Sequence, residues 1–111
     1  MKIRTQDYNN VTVIELGGEL EGELTEHLKK TVTEEIGKGR KAIVIDMNGV
    51  GFIDSSGLEE LLWSRDYCNE NKCELRLAGL DENCRKILEI TRLSGDFESY
   101  PELSEAVRSF A

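Results

Sequence analysis

An uninterrupted apolar run, Ala42-Ile43-Val44-Ile45, lies in the middle of the chain and ends at Asp46. Such a run is too short for a typical helix and has no polar position to face water, so it predicts a central strand covered on both faces. A loop from Met47 to Gly51 follows, and a helix is expected to begin near Ser56. A buried strand that leads into a helix is typical of an α/β fold with parallel strands.

The chain before this strand predicts a hairpin. Residues 3–8 and 11–16 alternate in character on either side of Asn9-Asn10. Asparagine tolerates the backbone conformation of a tight turn, so the two segments are expected to pair as antiparallel strands. A further short strand is considered at Glu19-Leu20.

The segment after the hairpin predicts a helix that ends at Gly37 and Gly39. Spacing by fours places Thr25, His27 and Glu35 on its solvated side. The apolar stripe consists of Leu24, Leu28, Val32 and Ile36.

The second half of the chain again alternates strands and helices. Residues 73–78 and 97–100 predict strands, and Pro101 suits the first turn of a last helix. Asp81 is expected to cap the helix between the two strands. The inward residues of that helix are predicted to be Cys84, Ile87, Leu88 and Thr91, and those of the last helix Leu103, Ala106, Val107 and Phe110.

These elements predict one α/β domain over residues 1–111, with a mixed sheet of four to five strands and about four helices. Crossovers of this length imply parallel pairing and right-handed connections. A chain of 111 residues is long enough to bury one core without disulfides or metals.

Composition narrows the classes of partner. Fourteen basic residues against 22 acidic ones give a formal net charge of −8, which argues against a nucleic-acid or anionic-membrane surface and favours a basic protein partner. No apolar run approaches the ~20 residues of a membrane span, and no signal-like segment follows the charged N-terminus. The protein is therefore expected to act in the cytoplasm.

The residues that usually carry catalysis or bind metals are scattered. Cys68, Cys73 and Cys84 show no C-x-x-C spacing, and His27 is the only histidine. The cysteines are interpreted as small buried apolar residues rather than as a metal or redox site. Without a nearby Ser/His/acid set, a nucleophile elbow or a Walker-type glycine loop, the sequence predicts neither an enzyme nor a cofactor.

The stretch that offers chemistry is Asp54-Ser55-Ser56-Gly57-Leu58, where the loop enters the helix. A helix N-terminus leaves backbone N–H groups unpaired and carries about half a positive charge, so a phosphate on a serine there would be stabilised. The alternative is structural. Ser56-Gly57-Leu58-Glu59 has the S-x-x-E form of a capping box, in which Ser56 and Glu59 only satisfy each other's backbone donors.

Trp63 and Tyr67 project from one side of this helix, away from the apolar stripe of Leu58, Leu61, Leu62 and Cys68. The two rings either form a partner-binding patch or are buried because the helix packs on two sides. The sequence supports both interpretations equally.

Asp54-Ser55-Ser56-Gly57-Leu58 resembles the D-S-[ST]-G-L motif of STAS domains, in particular that of bacterial anti-sigma factor antagonists. Gly18-Glu19-Leu20-Glu21 is similar to the G-E-[LI]-D segment of that family, at the matching distance. The order of the expected strands and helices resembles the family's over nearly the whole chain. The resemblance implies a STAS fold and a partner-switching function.

In this family the first serine after the aspartate is phosphorylated by a partner that is both an anti-sigma factor and a serine kinase, and that serine matches Ser55. The resemblance implies that the unphosphorylated protein binds this partner and frees the sigma factor, whereas the phosphorylated protein lets go until a serine phosphatase resets it. Asp54 would orient the Ser55 hydroxyl, and Ser56, next to Gly57, would cap the helix. Glu21 would lie near the same face.

Two positions depart from the family pattern. The family commonly has glycine where this chain has Glu59, which is followed by Glu60, and a carboxylate in the first turn repels a phosphate placed there. Trp63 stands where related sequences often have a small residue. The partner surface is expected to include Leu58, Glu59, Trp63 and Tyr67. The second hypothesis is therefore a STAS interaction subunit of a transporter or a signalling complex that is not phosphorylated.

Two further classes are considered. Asp46 ends a central strand, as the acceptor aspartate of response-regulator receivers does, but no acidic pair follows the first strand and no lysine follows Leu77-Ala78-Gly79. Asp46 is therefore expected to end the strand or to orient the loop before Asp54. A nucleotide-binding domain is the other class, and Gly49-Val50-Gly51 lacks the rest of a dinucleotide fingerprint.

Overall fold

Five strands form one mixed sheet in the order β1-β2-β3-β4-β5 in the computed structural model, which describes residues 2–111. The strands are β1 (Lys2–Tyr8), β2 (Val11–Gly17), β3 (Ala42–Gly49), β4 (Glu74–Ala78) and β5 (Ser99–Tyr100). The α-helices within these residues are α1 (Gly22–Gly37), α2 (Ser55–Glu70), α3 (Glu82–Ile90) and α4 (Leu103–Arg108). The predicted fold class, a single α/β domain with a mixed sheet, is confirmed.

The sheet begins with the predicted hairpin. Strands β1 and β2 pair antiparallel with Tyr8 opposite Val11, and Asn9 adopts a φ of 57° in the turn between them. The remaining neighbours, from β2 to β5, all pair parallel. The extra strand considered at Glu19-Leu20 is present only as a single bridge between Leu20 and Ile53.

Strand β3 is covered on both faces, as its apolar run predicts. Ile43 and Ile45 lie in the main core, whereas Val44 belongs to a second core on the other face, and all three are 0% exposed. Helices α1, α2 and α3 contribute to the main core, and α4 covers the second face by placing Ala106 against the strands. The predicted loop from Met47 to Gly51 was wrong in its start, because β3 continues to Gly49 and pairs with β2 there after a bulge.

Helix α1 buries two polar residues that the spacing by fours placed in solvent. Thr25 and Glu35 are 8% and 5% exposed, whereas His27 is exposed as predicted. The buried stripe includes i+3 and i+7 steps, so Thr25 and Glu35 fall on the same side as Leu28 and Val32. The prediction for α3 also fails at one end, because Thr91 is the exposed residue that caps this helix rather than an inward one.

Candidate functional site

The predicted motif lies where the chain leaves the carboxyl edge of the sheet and enters α2. Two backbone hydrogen bonds tie this entry to the neighbouring segment, from Leu20 N to the Phe52 carbonyl at 2.9 Å and from Asp54 N to the Leu20 carbonyl at 3.3 Å. The segment that carries Glu21 therefore lies beside the start of α2. The two sequence motifs are brought together in space.

Asp54, not Ser56, caps α2. The backbone of Asp54 is extended, and its Oδ1 accepts hydrogen bonds from the Gly57 N–H at 2.8 Å and from the Ser56 hydroxyl at 2.7 Å. These bonds, led by the one from Gly57, lower the pKa of the Asp54 carboxyl. The predicted capping box of Ser56 and Glu59 is thus wrong, and Asp54 holds the hydroxyl of Ser56 rather than that of Ser55.

Ser55 is the exposed first residue of α2. Its side-chain hydroxyl makes no hydrogen bond to any group within residues 2–111. Ser56 is exposed too, but its hydroxyl is committed to Asp54. Of the two adjacent serines, only Ser55 presents a free hydroxyl at the N-terminus of a 16-residue helix, where an added anion is favoured.

Gly57 is buried because α2 approaches the neighbouring segment very closely. A Cβ atom at this position would lie 2.3 Å from the carbonyl oxygen of Leu20 and 2.9 Å from Cγ2 of Ile53. Glycine is therefore required by packing, and its absence would push the start of α2 away from the segment that carries Glu21.

Acidic side chains lie near the motif. Glu21 precedes α1, and the neighbouring side chain of Glu19 raises the pKa of the Glu21 carboxyl. The negative charges of Glu19 and Asp54 act in the same direction, which places Glu21 within electrostatic reach of the motif, as predicted. Glu19 was not among the predicted site residues, although it stands within the matched segment.

Phe52 is a second residue that the sequence did not single out. Its side chain is 44% exposed in the loop just before the motif, which is unusual for a large aromatic ring. The other apolar residue of this region, Leu58, is half-buried and packs against the main core. Phe52 therefore offers exposed apolar area near Ser55. Because Phe52 lies in a loop, no periodic pattern in the sequence indicated this exposure.

The two glutamates after the motif lie in opposite environments. Glu59 is exposed, whereas Glu60 is only 6% exposed and accepts a hydrogen bond from the Ser64 hydroxyl at 3.0 Å. Burial raises the pKa of the Glu60 carboxyl from 4.5 to about 6, against the opposing effects of Ser64 and Lys29. The helical spacing of Gly57, Glu60 and Ser64 would have indicated this buried face.

Trp63 and Tyr67 form a stacked pair on α2. Their ring centroids lie 4.8 Å apart at an interplanar angle of 11°, and the Lys29 ammonium lies 4.7 Å from the centroid of the Trp63 ring. Both rings are half-buried and pack against the main core. The two rings support the contact of α2 with α1 but are not fully buried, and binding of a partner by their exposed surface stays a prediction.

Asp46 is 4% exposed, and its Oδ1 accepts hydrogen bonds from the backbone and side-chain nitrogens of Asn48 at 3.0 and 2.8 Å. It thus organises the last residues of β3 and does not end the strand. No group of three or more His, Cys, Asp or Glu in the described part of the chain is arranged to hold a metal ion. Across residues 2–111, no helix combines the length and the apolar character that crossing a membrane requires.

Comparison with known proteins identifies sequences and structures that are similar to this chain. An anti-sigma-B factor antagonist of Staphylococcus aureus is 26% identical over 93 residues, which cover 84% of this chain and 86% of that protein. The structure of an anti-sigma factor antagonist from Mycobacterium paratuberculosis gives a TM-score of 0.86 at 22% identity, over 97% of this chain and 92% of that chain. The Bacillus cell fate determinant SpoIIAA in its phosphorylated form gives 0.76 at 20% identity, over 99% and 100% of the two chains.

These structures share the fold of the present chain. The family model of the STAS domain matches residues 2–106, a span that contains all five strands of the sheet and the motif at the start of α2. Because that match extends over nearly the whole sequence, the chain belongs to the STAS domain family.

Proposed function

We propose that this protein is an anti-sigma factor antagonist that switches partners when Ser55 is phosphorylated. The observation that carries the proposal is the contrast between two adjacent serines: the Ser56 hydroxyl is bonded to Asp54, whereas the Ser55 hydroxyl is exposed and free. The relative from Staphylococcus aureus bears the name of such an antagonist. The protein acts by binding in the cytoplasm, not by catalysis, and needs no cofactor.

The switch works by charge. A phosphoryl group on Ser55 adds about −1.5 to −2 charges and three acceptor oxygens. It would stand at the N-terminus of α2, where the helix dipole stabilises it, and close to the carboxylates of Asp54 and Glu21. Because Ser55 is exposed, we expect the phosphorylated domain to keep its fold and to change only at its surface.

The unphosphorylated surface fits a partner with basic and apolar groups. Glu21 and Glu59 supply charge beside Ser55, and the exposed Phe52 and half-buried Leu58 supply apolar area. A kinase that is also an anti-sigma factor would dock here to reach the Ser55 hydroxyl. Phosphorylation would then place two additional negative charges within the interface, and repulsion and desolvation would release the partner. A serine phosphatase would restore the binding surface.

Titration calorimetry with the anti-sigma factor kinase from the same genome tests this proposal. We expect wild type, Ser55→Ala and the matched control Ser56→Ala to bind with similar affinity, and Ser55→Asp to bind roughly tenfold more weakly or worse. Kinase assays with ATP should modify wild type and Ser56→Ala but not Ser55→Ala. Equal affinities of wild type and Ser55→Asp would contradict the switch.

The second candidate function is an interaction subunit of a transporter or a signalling complex that is not phosphorylated. The stacked pair of Trp63 and Tyr67 favours it, because these rings keep a solvent-facing surface with the Lys29 cation beside it. The carboxylate of Glu59, exposed on α2 four residues after Ser55, also opposes a phosphate on Ser55. Under this alternative, Trp63→Ala abolishes partner binding and Ser55→Asp leaves it unchanged, whereas the main proposal requires Ser55→Asp to weaken binding.

A further inference from the structure

Helix α2 ends in a turn that places two cysteines against each other. The Cys73 N–H donates to the Cys68 carbonyl at 2.8 Å, and the Lys72 N–H donates to the Asn69 carbonyl at 3.2 Å. Lys72 has a φ of 58°, in the left-handed region. These features define a Schellman motif. In this motif the side chains of the two residues joined by the bond that spans five positions, here Cys68 and Cys73, commonly touch.

The same motif ends α1 and α3, and there the paired side chains do interact. In α3 the Leu93 N–H donates to the Leu88 carbonyl at 2.8 Å, and both leucines join the main core. In α1 the Arg40 N–H donates to the Glu35 carbonyl, and the two side chains form an ion pair at 3.4 Å. The corresponding positions of α2 hold two thiols.

The two thiols interact in a buried site. Cys68 is 0% exposed and Cys73 is 2% exposed, and neither forms a disulfide. The neighbouring Cys68 thiol lowers the pKa of Cys73, and the positive charge of Lys41 acts in the same direction. The Cys73 thiol donates a weak hydrogen bond to the Glu74 carbonyl at 3.8 Å. The nearness of Cys73, together with burial, raises the pKa of Cys68. Cys73 is therefore the better nucleophile of the pair, and Cys68 is the thiol positioned to react with it next.

The third cysteine lies in a different setting. Cys84 donates a hydrogen bond from its thiol to the Val50 carbonyl at 3.4 Å, and burial raises its pKa to about 12. It stands on α3, beyond the carboxyl end of β4, whereas Cys73 immediately precedes the amino end of that strand. Cys84 thus serves as an internal control for reactivity that depends on the paired geometry.

We propose that Cys68 and Cys73 are a site of reversible intramolecular disulfide formation, with a small hydroperoxide as the oxidant. The Cys73 thiolate attacks one peroxide oxygen, the O–O bond breaks, and Cys73 becomes a sulfenic acid as hydroxide leaves. The Cys68 sulfur then attacks the Cys73 sulfur, the S–O bond breaks, and the leaving hydroxide takes the Cys68 proton as water. Overall, two thiols lose two electrons and hydrogen peroxide is reduced to two molecules of water.

The disulfide would close the C-terminal turn of the helix that carries Ser55 at its other end. The turn residues Asn71 and Lys72, which lie between the two cysteines in sequence, are exposed, so we expect local opening of this turn to admit an oxidant the size of peroxide. This site could not be predicted from the sequence, because a spacing of five residues is not a recognised redox motif. The two cysteines are brought together only by the left-handed turn at Lys72.

Peptide mapping after oxidation tests the proposal. Folded wild type is treated with hydrogen peroxide, denatured, alkylated with iodoacetamide and digested without reductant. We expect a Cys68–Cys73 linked peptide in most molecules, an alkylated Cys84, a loss of intact mass equal to two hydrogen atoms before alkylation, and full reversal by dithiothreitol. Cys84→Ser should form the same linked peptide, and Cys73→Ser should lose it.

The proposal is overturned if wild type yields no Cys68–Cys73 peptide, whether all three thiols remain alkylated or Cys73 ends as a sulfinic acid. Crosslinks that involve Cys84 in equal yield would overturn it too. The wild-type result decides the matter alone, so a serine variant that fails to fold leaves the test intact.

Discussion

Gly57 sets how closely α2 approaches the segment that carries Glu21. The position that a Cβ atom would occupy lies 2.3 Å from the backbone oxygen of Leu20, and that oxygen already accepts the hydrogen bond from Asp54 N. The oxygen cannot move aside without breaking the contact that aligns the two motifs. At the scale of single residues, the glycine of the motif is therefore a packing requirement rather than a conformational one.

Replacing Gly57 by alanine is expected to destabilise the fold by roughly 1–3 kcal/mol, because the added methyl group overpacks a backbone contact. Gly37→Ala is the matched control. Gly37 is the last residue of α1, and a Cβ atom there would meet nothing within 4 Å. This control should be neutral or stabilising by up to about 1 kcal/mol. Urea unfolding of both variants measures the difference, and equal midpoints would contradict the packing argument.

The sequence located this site but assigned its cap to the wrong residue. Aspartate and serine are comparable N-cap residues, so Asp54 and Ser56 compete for the role on sequence alone. The long-range bond from Asp54 N to Leu20 decides between them, because it holds Asp54 extended. Local pattern therefore predicts which residues form the site, and a tertiary contact determines which hydroxyl remains free.

At the scale of elements, three helices end in the same motif with three kinds of side-chain pair. The left-handed residue is Gly39 after α1, Lys72 after α2 and Arg92 after α3, with φ values of 87°, 58° and 62°. Glycine pays no steric cost in this conformation, whereas lysine and arginine do. The turns that end α2 and α3 are therefore less stable than they would be with glycine at the left-handed position.

Lys72→Gly is expected to stabilise the protein by about 1 kcal/mol, because glycine is the preferred residue at the left-handed position of a Schellman motif. The reciprocal change, Gly39→Ala, should destabilise it by a similar amount. Thermal and urea unfolding measure both variants. A destabilised Lys72→Gly protein would mean that the Lys72 side chain contributes contacts that outweigh its backbone strain.

The buried carboxyl of Glu60 makes the stability of the fold depend on pH. In the unfolded chain its carboxyl ionises near 4.5, whereas burial raises the pKa to about 6 in the folded protein. Because the folded state binds this proton more tightly, stability falls as pH rises from about 4.5 to about 6, by roughly 2 kcal/mol in total. The deficit is then constant at higher pH.

Glu60→Gln removes this penalty while it retains an acceptor for the Ser64 hydroxyl. The variant should exceed wild type in stability by about 2 kcal/mol near pH 7.5 and by little near pH 4. Glu59→Gln, at the exposed neighbouring position, is the control and should change stability by no more than a few tenths of a kcal/mol at either pH. An advantage of Glu60→Gln that is the same at both pH values would contradict the assignment.

The sequence predicted all four α-helices of the fold but not the full width of each buried face. The apolar stripe of α1 identified Leu24, Leu28 and Val32, all at most 1% exposed. It missed Glu35, which is buried because Lys38 and Arg40 form ion pairs with its carboxylate. Glu60 was missed for a similar reason, since the Ser64 hydroxyl donates a hydrogen bond to its buried carboxylate. Buried polar residues depend on partners that hydrophobic spacing does not register.

At the scale of the whole molecule, the sheet topology followed from a few signals in the sequence. The hairpin, the apolar run of β3 and the alternation of later elements were sufficient for the mixed sheet. The length of β3 was not predictable in this way, because its extension to Gly49 depends on a bulge in the pairing with β2. Pairing between strands determines such boundaries, so the sequence of either strand alone does not predict them.

The net charge of −8 is expected to steer a basic partner to the protein. Association with the proposed partner, an anti-sigma factor kinase, should therefore slow by about tenfold or more as salt rises from low to above physiological concentration. Glu21→Gln, beside the motif, should lower the association rate, and Glu34→Gln, exposed near the far end of α1, should leave it nearly unchanged. Stopped-flow measurements test this. An association rate insensitive to salt would exclude electrostatic steering.

The free hydroxyl of Ser55 is the centre of the proposed function, and its modification state in the living cell is the most direct test. The protein is purified from its native host during growth and under stress, and intact-mass spectrometry is combined with peptide mapping. We expect one phosphoryl group, on Ser55 and not on Ser56, in a fraction that changes with condition. An unmodified Ser55 in every condition, or a phosphoryl group on Ser56 instead, would contradict the switch.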